Sequence, residues 1–445
     1  MGFRTLMVFG SALFLVMISL NAVEGLADEK KVYTLGQSIA EALSNNWALR
    51  AKKEKIVQAG QVQEQALAEF FPKLSTTYGY TRLSEVKRSD PVTLGGITIP
   101  SRPLNSKDNY QLRASVSQPI FTGFALMSSF RLAKLGVDKS ETEVDLEKLD
   151  LALKVKQVYF GILEADKLLE VAEKAAESLK SHVDVARSFY QVGMIPVNDL
   201  LKAEVELANA QHDLVKAKNG SRLARASFNI VLSRPINDMV EVRDIPGYEP
   251  DRGDFEEYMK KALKERPEVK LLESSILQAD QQIILAKSKI YPEVAFTYDY
   301  IKDGDDPDVS GSPFHDSSSW QAMVGLSWTF WEWGKTHYSV REKESLKNEL
   351  MKTRKALEDS IRFELKDAVL GLEQAEKNIP TTRKAVDQAE ENLRVSRERY
   401  KAQVTTSTEV LDAQTLLTQA STNHYSALYD HSLARAKLLR ALGSY

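Results

Sequence analysis

The chain has 445 residues, 43% of them hydrophobic and 27% charged, with a formal net charge of −3. That length is enough for two or three domains, and the charge balance leaves no basic surplus to neutralise phosphates, which argues against nucleic acid as a partner. The absence of cysteine excludes disulfides, thiolate metal sites and a lipid-modified N-terminal cysteine.

The first 27 residues differ from the rest: MGFR carries one positive charge, TLMVFGSALFLVMISL is an apolar run, and Gly25 and Ala27 supply small residues for cleavage. This is the pattern of a removable signal peptide over residues 1–27, leaving a mature chain that begins near Asp28 in an exported compartment. An anchor helix is the competing reading, which the shortness of the run and the cleavage site oppose. No later run is apolar enough to cross a membrane as a helix, so a membrane role has to use strands.

A helical pattern covers roughly 35–70, and a period-two run follows. Leu74, Thr76, Tyr78 and Tyr80 share one face of that run, while Lys73, Ser75, Thr77 and Gly79 share the other, as in a strand. Residues 83–110, rich in Gly, Pro and Ser, read as a loop, and a second alternating run places Leu112, Ala114 and Val116 opposite Gln111, Arg113, Ser115 and Ser117. From about 124 the pattern becomes helical without a break to about 190. Leu151, Val155, Val158, Ile162, Ala165, Leu169, Ala172, Ala176, Leu179, Val183, Ala186 and Tyr190 keep alternating spacings of four and three, a heptad seam. In FYQVGMIPVNDLLKAE, Gly193 and Pro196 stop the helix, and a second heptad run from Leu200 to Val231 returns, so the break is the turn of a helical hairpin.

Everything then happens again. Residues 34–82 align with 254–302 at an offset of 220, and residues 114–236 align with the remainder at an offset of 210. Pro72 meets Pro292, Tyr190 meets Tyr400, and LARA occurs at 223–226 and at 433–436. A register held over such a length marks an internal duplication. The expected organisation is a first repeat over 28–253 and a second over 254–445. The first carries strands 72–82 and 111–121, the hairpin 124–232 and a linker 233–253; the second carries strands 292–302 and 320–331 and the hairpin 333–443. Pro380 is expected to kink the second long helix or to force a 3₁₀ turn.

Strand runs of about ten residues suit a tilted membrane strand. Phe70, Phe71, Phe121, Tyr291, Trp331 and Trp333 gather where strands meet helices, as in an interfacial girdle. Four strands cannot close a barrel, and an open edge in lipid leaves backbone groups unsatisfied. Copies must therefore supply the rest: two would give a side-chain-filled barrel, three a barrel of about twelve strands with room for a passage. A helix over 124–190 extends about 100 Å at ~1.5 Å per residue, and the helices at 35–70 and 198–232 are each about half that, so stacked end to end they would match it. The expected object is a mostly α protein with a membrane β-barrel part, a tube of strands continued by a sleeve of coiled-coil hairpins.

The duplicated AL…N…L…A…A…P…Y.Y blocks, the junctions SQPIFTG and WTFWEWGK, and the turn segments YQVGMIPVND and YKAQVTTSTEVLDAQ resemble the TolC-type outer-membrane efflux protein family across essentially the whole mature chain. The resemblance implies a homotrimer in the Gram-negative outer membrane, with a twelve-stranded barrel and an α-helical barrel in the periplasm. It implies a passive duct in a tripartite efflux or type I secretion system, docked to a periplasmic adaptor and an inner-membrane pump of RND or ABC type. It also implies a periplasmic-tip constriction involving Asp199, Tyr400, Glu409 and Asp412, and adaptor docking on the turns at Val192, Gly193, Met194, Gln403, Val404 and Thr405. The usual second-turn glycine is Gln403 here, and a latching basic residue is Thr405.

Two of these roles have plainer counterparts. Thr406-x-x-Glu409 fits a capping box, and Asp199 suits a helix N-terminus. His424 and His431 lie seven apart, about 10 Å along a helix, too far to share a metal. No phosphate loop, nucleophile triad or ligand cluster appears, so neither an enzyme nor a cofactor is expected. Two other classes fit the pattern less well. A trimeric, barrel-anchored, adhesin-like surface protein would carry its strands consecutively at the C-terminus, and a soluble coiled-coil scaffold would lack the signal peptide and strand pairs.

Overall fold

The computed structural model describes residues 32–244, 250 and 253–445; the expected signal peptide lies outside them. In chain order the elements are β1 (Val32–Tyr33), α1 (Leu35–Asn45), α2 (Trp47–Ala68), β2 (Lys73–Arg82), β3 (Val92–Leu94), β4 (Ile97–Ile99), β5 (Asp108–Phe121), α3 (Ala125–Gln191), α4 (Val197–Val231) and β6 (Glu241–Val242). The second half brings α5 (Phe255–Glu265), α6 (Pro267–Lys287), β7 (Glu293–Gly304), β8 (Ser319–Ser327), α7 (Lys335–Lys401) and α8 (Ser407–Ala441). The duplication is visible in the bounds themselves: α3 and α4 recur as α7 and α8 displaced by 210 positions at both ends.

Local chemistry sets the helix starts. Thr34 and Gln37 form a reciprocal capping box at α1, Asn46 accepts from the Ala48 and Leu49 amides at α2, and Asp254 accepts from the Glu256 and Glu257 amides at α5. Pro267 opens α6, where its missing N–H has no partner to lose.

The sheet order is β2-β5-β7-β8, antiparallel throughout. In the helical part α2 packs on α3, α3 on α6 and α6 on α7; farther along, α4 packs on α3, α3 on α8 and α8 on α7. The half-length helices α2 and α4 therefore fill one column, α6 and α8 another, with the 67-residue α3 and α7 as the remaining two. Since β2 follows α2, β5 precedes α3, β7 follows α6 and β8 precedes α7, strand order and column order are the same.

The sheet has two unlike faces. Leu74, Val116, Tyr298 and Ala322 stand in one cross-strand row, and Ser75, Ser115, Asp299 and Gln321 in the next, on the opposite face. On that polar face Ser115 donates to one Asp299 oxygen at 2.5 Å and Gln321 to the other at 2.8 Å. At the strand–helix junction Phe121, Phe124 and Tyr291 meet edge to face with centroids 5.6–6.4 Å apart, and Trp331 meets Trp333 at 5.8 Å.

The largest apolar core sits at the middle of the columns, where Tyr33, Tyr159, Ile162, Phe228 and Leu232 are fully or almost fully buried. The Tyr159 hydroxyl bonds the carbonyls of Tyr33 (3.1 Å) and Arg243 (2.6 Å), tying the parallel β1–β6 pair to α3. A matching core in the second half gathers Met259, Ile361, Leu365, Leu372 and Leu438.

Two expectations need correction, and one of the two alternatives at a third place is decided. The stretch 83–110 is not all loop: Val92–Leu94 pairs with Ile97–Ile99 around Gly95 and Gly96, both at positive φ (58° and 85°), as a two-residue hairpin turn requires. The last strand stops at Ser327 rather than 331, because its ladder partner β7 begins at Glu293 and the preceding Pro292 has no N–H to offer. At Pro380, of the two expected outcomes, a kink or a 3₁₀ turn, the 3₁₀ turn does not form: α7 is α-helical throughout Lys335–Lys401.

Candidate functional site at the hairpin turns

The site is built from the two helical turns, which the fold brings side by side. Both turns close in the same way. The Gly193 amide bonds the Tyr190 carbonyl and the Met194 amide reaches back to Phe189, each at 2.9 Å; the Gln403 amide bonds Tyr400 and the Val404 amide reaches Arg399, also at 2.9 Å. This six-to-one closure needs a left-handed residue, and Gly193 (φ 77°) and Gln403 (φ 59°) supply it. Glycine does so without strain, whereas Gln403 does so against its own Cβ.

Next to the turns a buried cluster joins the two hairpins. Tyr400, 4% exposed, packs with Leu393, Val410 and Ala413 of its own hairpin and with Val185 and Phe189 of α3. Its ring lies 4.9 Å from the His182 imidazole and 5.6 Å from Phe189. His182 Nε2 is 2.8 Å from the Ser407 hydroxyl, so α3 is bonded to the first residue of α8. Burial, and secondarily the positive charge of Arg397, push the His182 pKa down to about 4. The ring is therefore neutral at physiological pH. Burial and the negative charge of Asp199 raise the Tyr400 pKa against a smaller opposing effect of Ser407. Asp199, half-buried in the first turn of α4, is thus near enough to be felt by a side chain of the other hairpin.

Glu409 is bonded across its own turn, accepting from Arg399 at 3.0 Å and from the Thr405 hydroxyl. Thr406 occupies the N-cap of α8 but makes no side-chain cap bond, so the capping box that the spacing suggested is not formed. Asp412, one helical turn on, is exposed and has no bonded partner among the described residues. Val192, Met194 and Val404 project from the turns, 69%, 53% and 63% exposed, and Thr405 is half-buried by its contact with Glu409.

Sequence reasoning named Asp199, Tyr400 and Glu409 but missed His182, Ser407 and Arg399. The heptad pattern could not reveal them: the positions equivalent to His182 and Ser407 in the other repeat are Asn392 and Val197, so the contact exists in one hairpin pair alone. The repeats also differ at the last seam tyrosine. Tyr400 is buried, whereas Tyr190 is 43% exposed, because α3 covers the second hairpin and nothing among the described residues covers the corresponding side of the first.

Among known proteins, the family described as outer membrane efflux protein matches residues 38–229 and 258–444, once for each repeat. No curated protein matches the chain. Its fold is shared with CusC, at a TM-score of 0.78 and 16% identity over 94% of this chain and 93% of that one. The CmeC outer membrane channel of Campylobacter jejuni gives 0.78 and 16% over 99% and 94%. The open-state MtrE outer membrane channel of Neisseria gonorrhoeae gives 0.72 and 19% over 92% and 89%. A family match on both repeats, over a two-faced sheet that feeds four helical columns, places the chain in the outer membrane efflux protein family, as a non-enzymatic channel of the Gram-negative outer membrane with its helical part in the periplasm.

Proposed function

We propose that copies of this chain close into a trimer that acts as the passive outer-membrane duct of a tripartite export system, receiving substrate from an inner-membrane pump through a periplasmic adaptor. The observation that carries the reading is the identity of strand order and column order. A sheet with open edges at β2 and β8, and an apolar face at Leu74, Tyr298 and Trp320, cannot stay open in lipid. Whatever closes the sheet closes the columns with it, since each strand continues a helix.

The edge columns are made for such closure. Leu201, Val205, Leu223 and Ile230 on α4, and Phe363, Leu370 and Val395 on α7, are exposed apolar residues at the two ends of the wall. Three chains would give about twelve strands, wide enough for a passage. The next copy would also cover Tyr190, which the chain leaves open. The tip then becomes a ring of six turns. Asp199, Tyr400, Glu409 and Asp412 would narrow it, and Val192, Gly193, Met194, Gln403, Val404 and Thr405 would present a partly apolar rim to the adaptor.

Single-channel recording in a planar bilayer, together with the mass of the detergent-solubilised particle, tests this. A particle of three chains with low, discrete conductance is expected. A monodisperse monomer, or a trimer with no conductance at any protein concentration, overturns the duct.

A further inference from the structure

About a fifth of the way up the helical wall from the turns, α3, α7 and α8 line a half-open cavity of about 270 Å³. Its walls are apolar at Val171, Val386, Leu393 and Leu417, and its floor is the Arg397 guanidinium. That floor is unusual. Arg397 donates to the Ser178 hydroxyl and, at 3.4 Å, to the Gln414 amide oxygen, both neutral acceptors. Among the described residues no carboxylate pairs with it, and burial is the one influence on its pKa, lowering it.

The duplication shows what is missing. The residue equivalent to Arg397 in the first repeat is Arg187, which binds Glu204 at 2.9 Å and Asp184 at 3.8 Å. At the matching positions of the second repeat stand Gln414 and Arg394. Both counter-charges are gone while the arginine has stayed. A partly buried guanidinium with neutral partners alone is costly, and a charge-assisted bond to an anion is the natural relief.

The remaining charges leave the floor positive. Glu170 already accepts from Lys167 (3.1 Å) and Lys174 (2.8 Å). Glu390 lies seven residues from Arg397 on the same helix, about 10 Å away along the axis. The acidic groups therefore sit at the far end of the cavity and the unpaired cation at the near end.

We propose that this cavity binds a small organic carboxylate with an apolar body, its carboxylate on the Arg397 guanidinium beside Gln414, supplying the negative charge that Glu204 gives Arg187, and its body against Val386, Leu393 and Leu417. The site lies in the wall of one chain, so the inference does not depend on conduction or on trimer formation.

Calorimetric titration of the full-length protein in a non-ionic detergent tests it with three probes: phenylacetate, acetate and 2-phenylethylamine. Phenylacetate is expected to bind saturably, acetate more weakly for want of the apolar body, and the amine not at all. Gln414→Glu rebuilds the pair of the first repeat and should weaken phenylacetate binding at least about tenfold, the scale of one lost charge-assisted bond. Arg397→Gln, measured alongside, should give a comparable loss by removing the cation, and Arg187→Gln should give none. No saturable uptake of phenylacetate by the unaltered protein overturns the proposal. So does equal affinity in the unaltered protein and in both Gln414→Glu and Arg397→Gln, or binding of the amine as tight as that of the acid.

Discussion

Gly193 and Gln403 occupy the same left-handed point of two duplicated turns, with φ values of 77° and 59° and identical amide closures. The same holds at three other places: Gly123 and Trp333, Phe124 and Gly334, and Ser233 and Gly443 are equivalent pairs at positive φ, one glycine to each pair. The backbone shape has outlasted the residue that makes it easy. Replacing Gln403 by glycine should therefore relieve about 1 kcal/mol of strain, whereas Gly193→Ala should add a similar amount. Hydrogen exchange of the Met194 and Val404 amides reads each turn separately: slower exchange at Val404 is expected in the first variant and faster exchange at Met194 in the second. Unchanged protection in both would mean the turns are held by their neighbours rather than by their own dihedral angles.

His182 gives the turns a pH dependence. Its folded pKa, about 4, lies below the ordinary value near 6.5. The unfolded or opened state then binds the proton more readily, so stability rises with pH across this window. The contribution is complete above about pH 6.5 and falls away toward pH 4, by roughly 3 kcal/mol in total for a shift of that size. Protection of the α8 N-terminus should fall on acidification from pH 7 to 4. His182→Gln, which keeps a hydrogen-bonding group toward Ser407, should flatten that dependence. If the variant loses protection in acid as steeply as the natural chain, the carboxylates nearby are responsible and the imidazole is not.

Most of the wall was legible in the sequence, because a duplication and a heptad seam are periodic signals that survive without tertiary information. Ile361, Leu365, Leu372 and Tyr400 are buried as the seam requires. What escaped was non-periodic or depended on a neighbour. The hairpin at Gly95–Gly96 carried its own short signal within a stretch of polar composition. Tyr190 shares the seam with Tyr400, yet it stays 43% exposed, with no cover among the described residues like that which α3 gives Tyr400. The contact of His182 with Ser407 joins residues 225 apart in sequence and has no counterpart in the other repeat. Gln414 is different: its meaning was present in the offset of 210, as a carboxylate lost from one copy, and needed the geometry of Arg187 and Glu204 to be read.

Glu409 and Asp412 should behave differently when each is replaced by alanine. Glu409 is tied to Arg399, with both side chains nearly half exposed, so the pair is worth at most about 1 kcal/mol and its loss frees a turn. Asp412 has no such tie and would act through its charge alone. In the proposed trimer, Glu409→Ala should raise open probability, whereas Asp412→Ala should chiefly weaken block by trivalent cations. Block that is equally sensitive to both, with gating unaltered, would place the two carboxylates in one electrostatic ring and remove any separate role for the Arg399 contact.

The two repeats are clamped near the middle of the columns by a charged network that spans α3, α6, α7 and α8. Arg266, 3% exposed, pairs with Glu268 at 2.8 Å and Glu364 at 2.7 Å. Arg440 reaches the same two carboxylates at 2.9 and 3.3 Å, and Asp150 at 2.9 Å. Truncating Arg266 leaves Glu268 half-compensated in a place only 19% exposed, so Arg266→Ala should cost about 3 kcal/mol, near the lower end for breaking a buried pair because Glu268 and Glu364 keep some solvent access. Arg225 is the control: its bidentate pair with Asp166, at 2.9 Å for both bonds, is about a third exposed, and Arg225→Ala should cost about 1 kcal/mol. The comparison belongs on hydrogen exchange at the α6–α7 contact, since a chain of this length unfolds in stages and one global midpoint would blur them. Equal losses in the two variants would show that burial does not decide the strength of these pairs, and that the network holds its place by packing of the arginine stems.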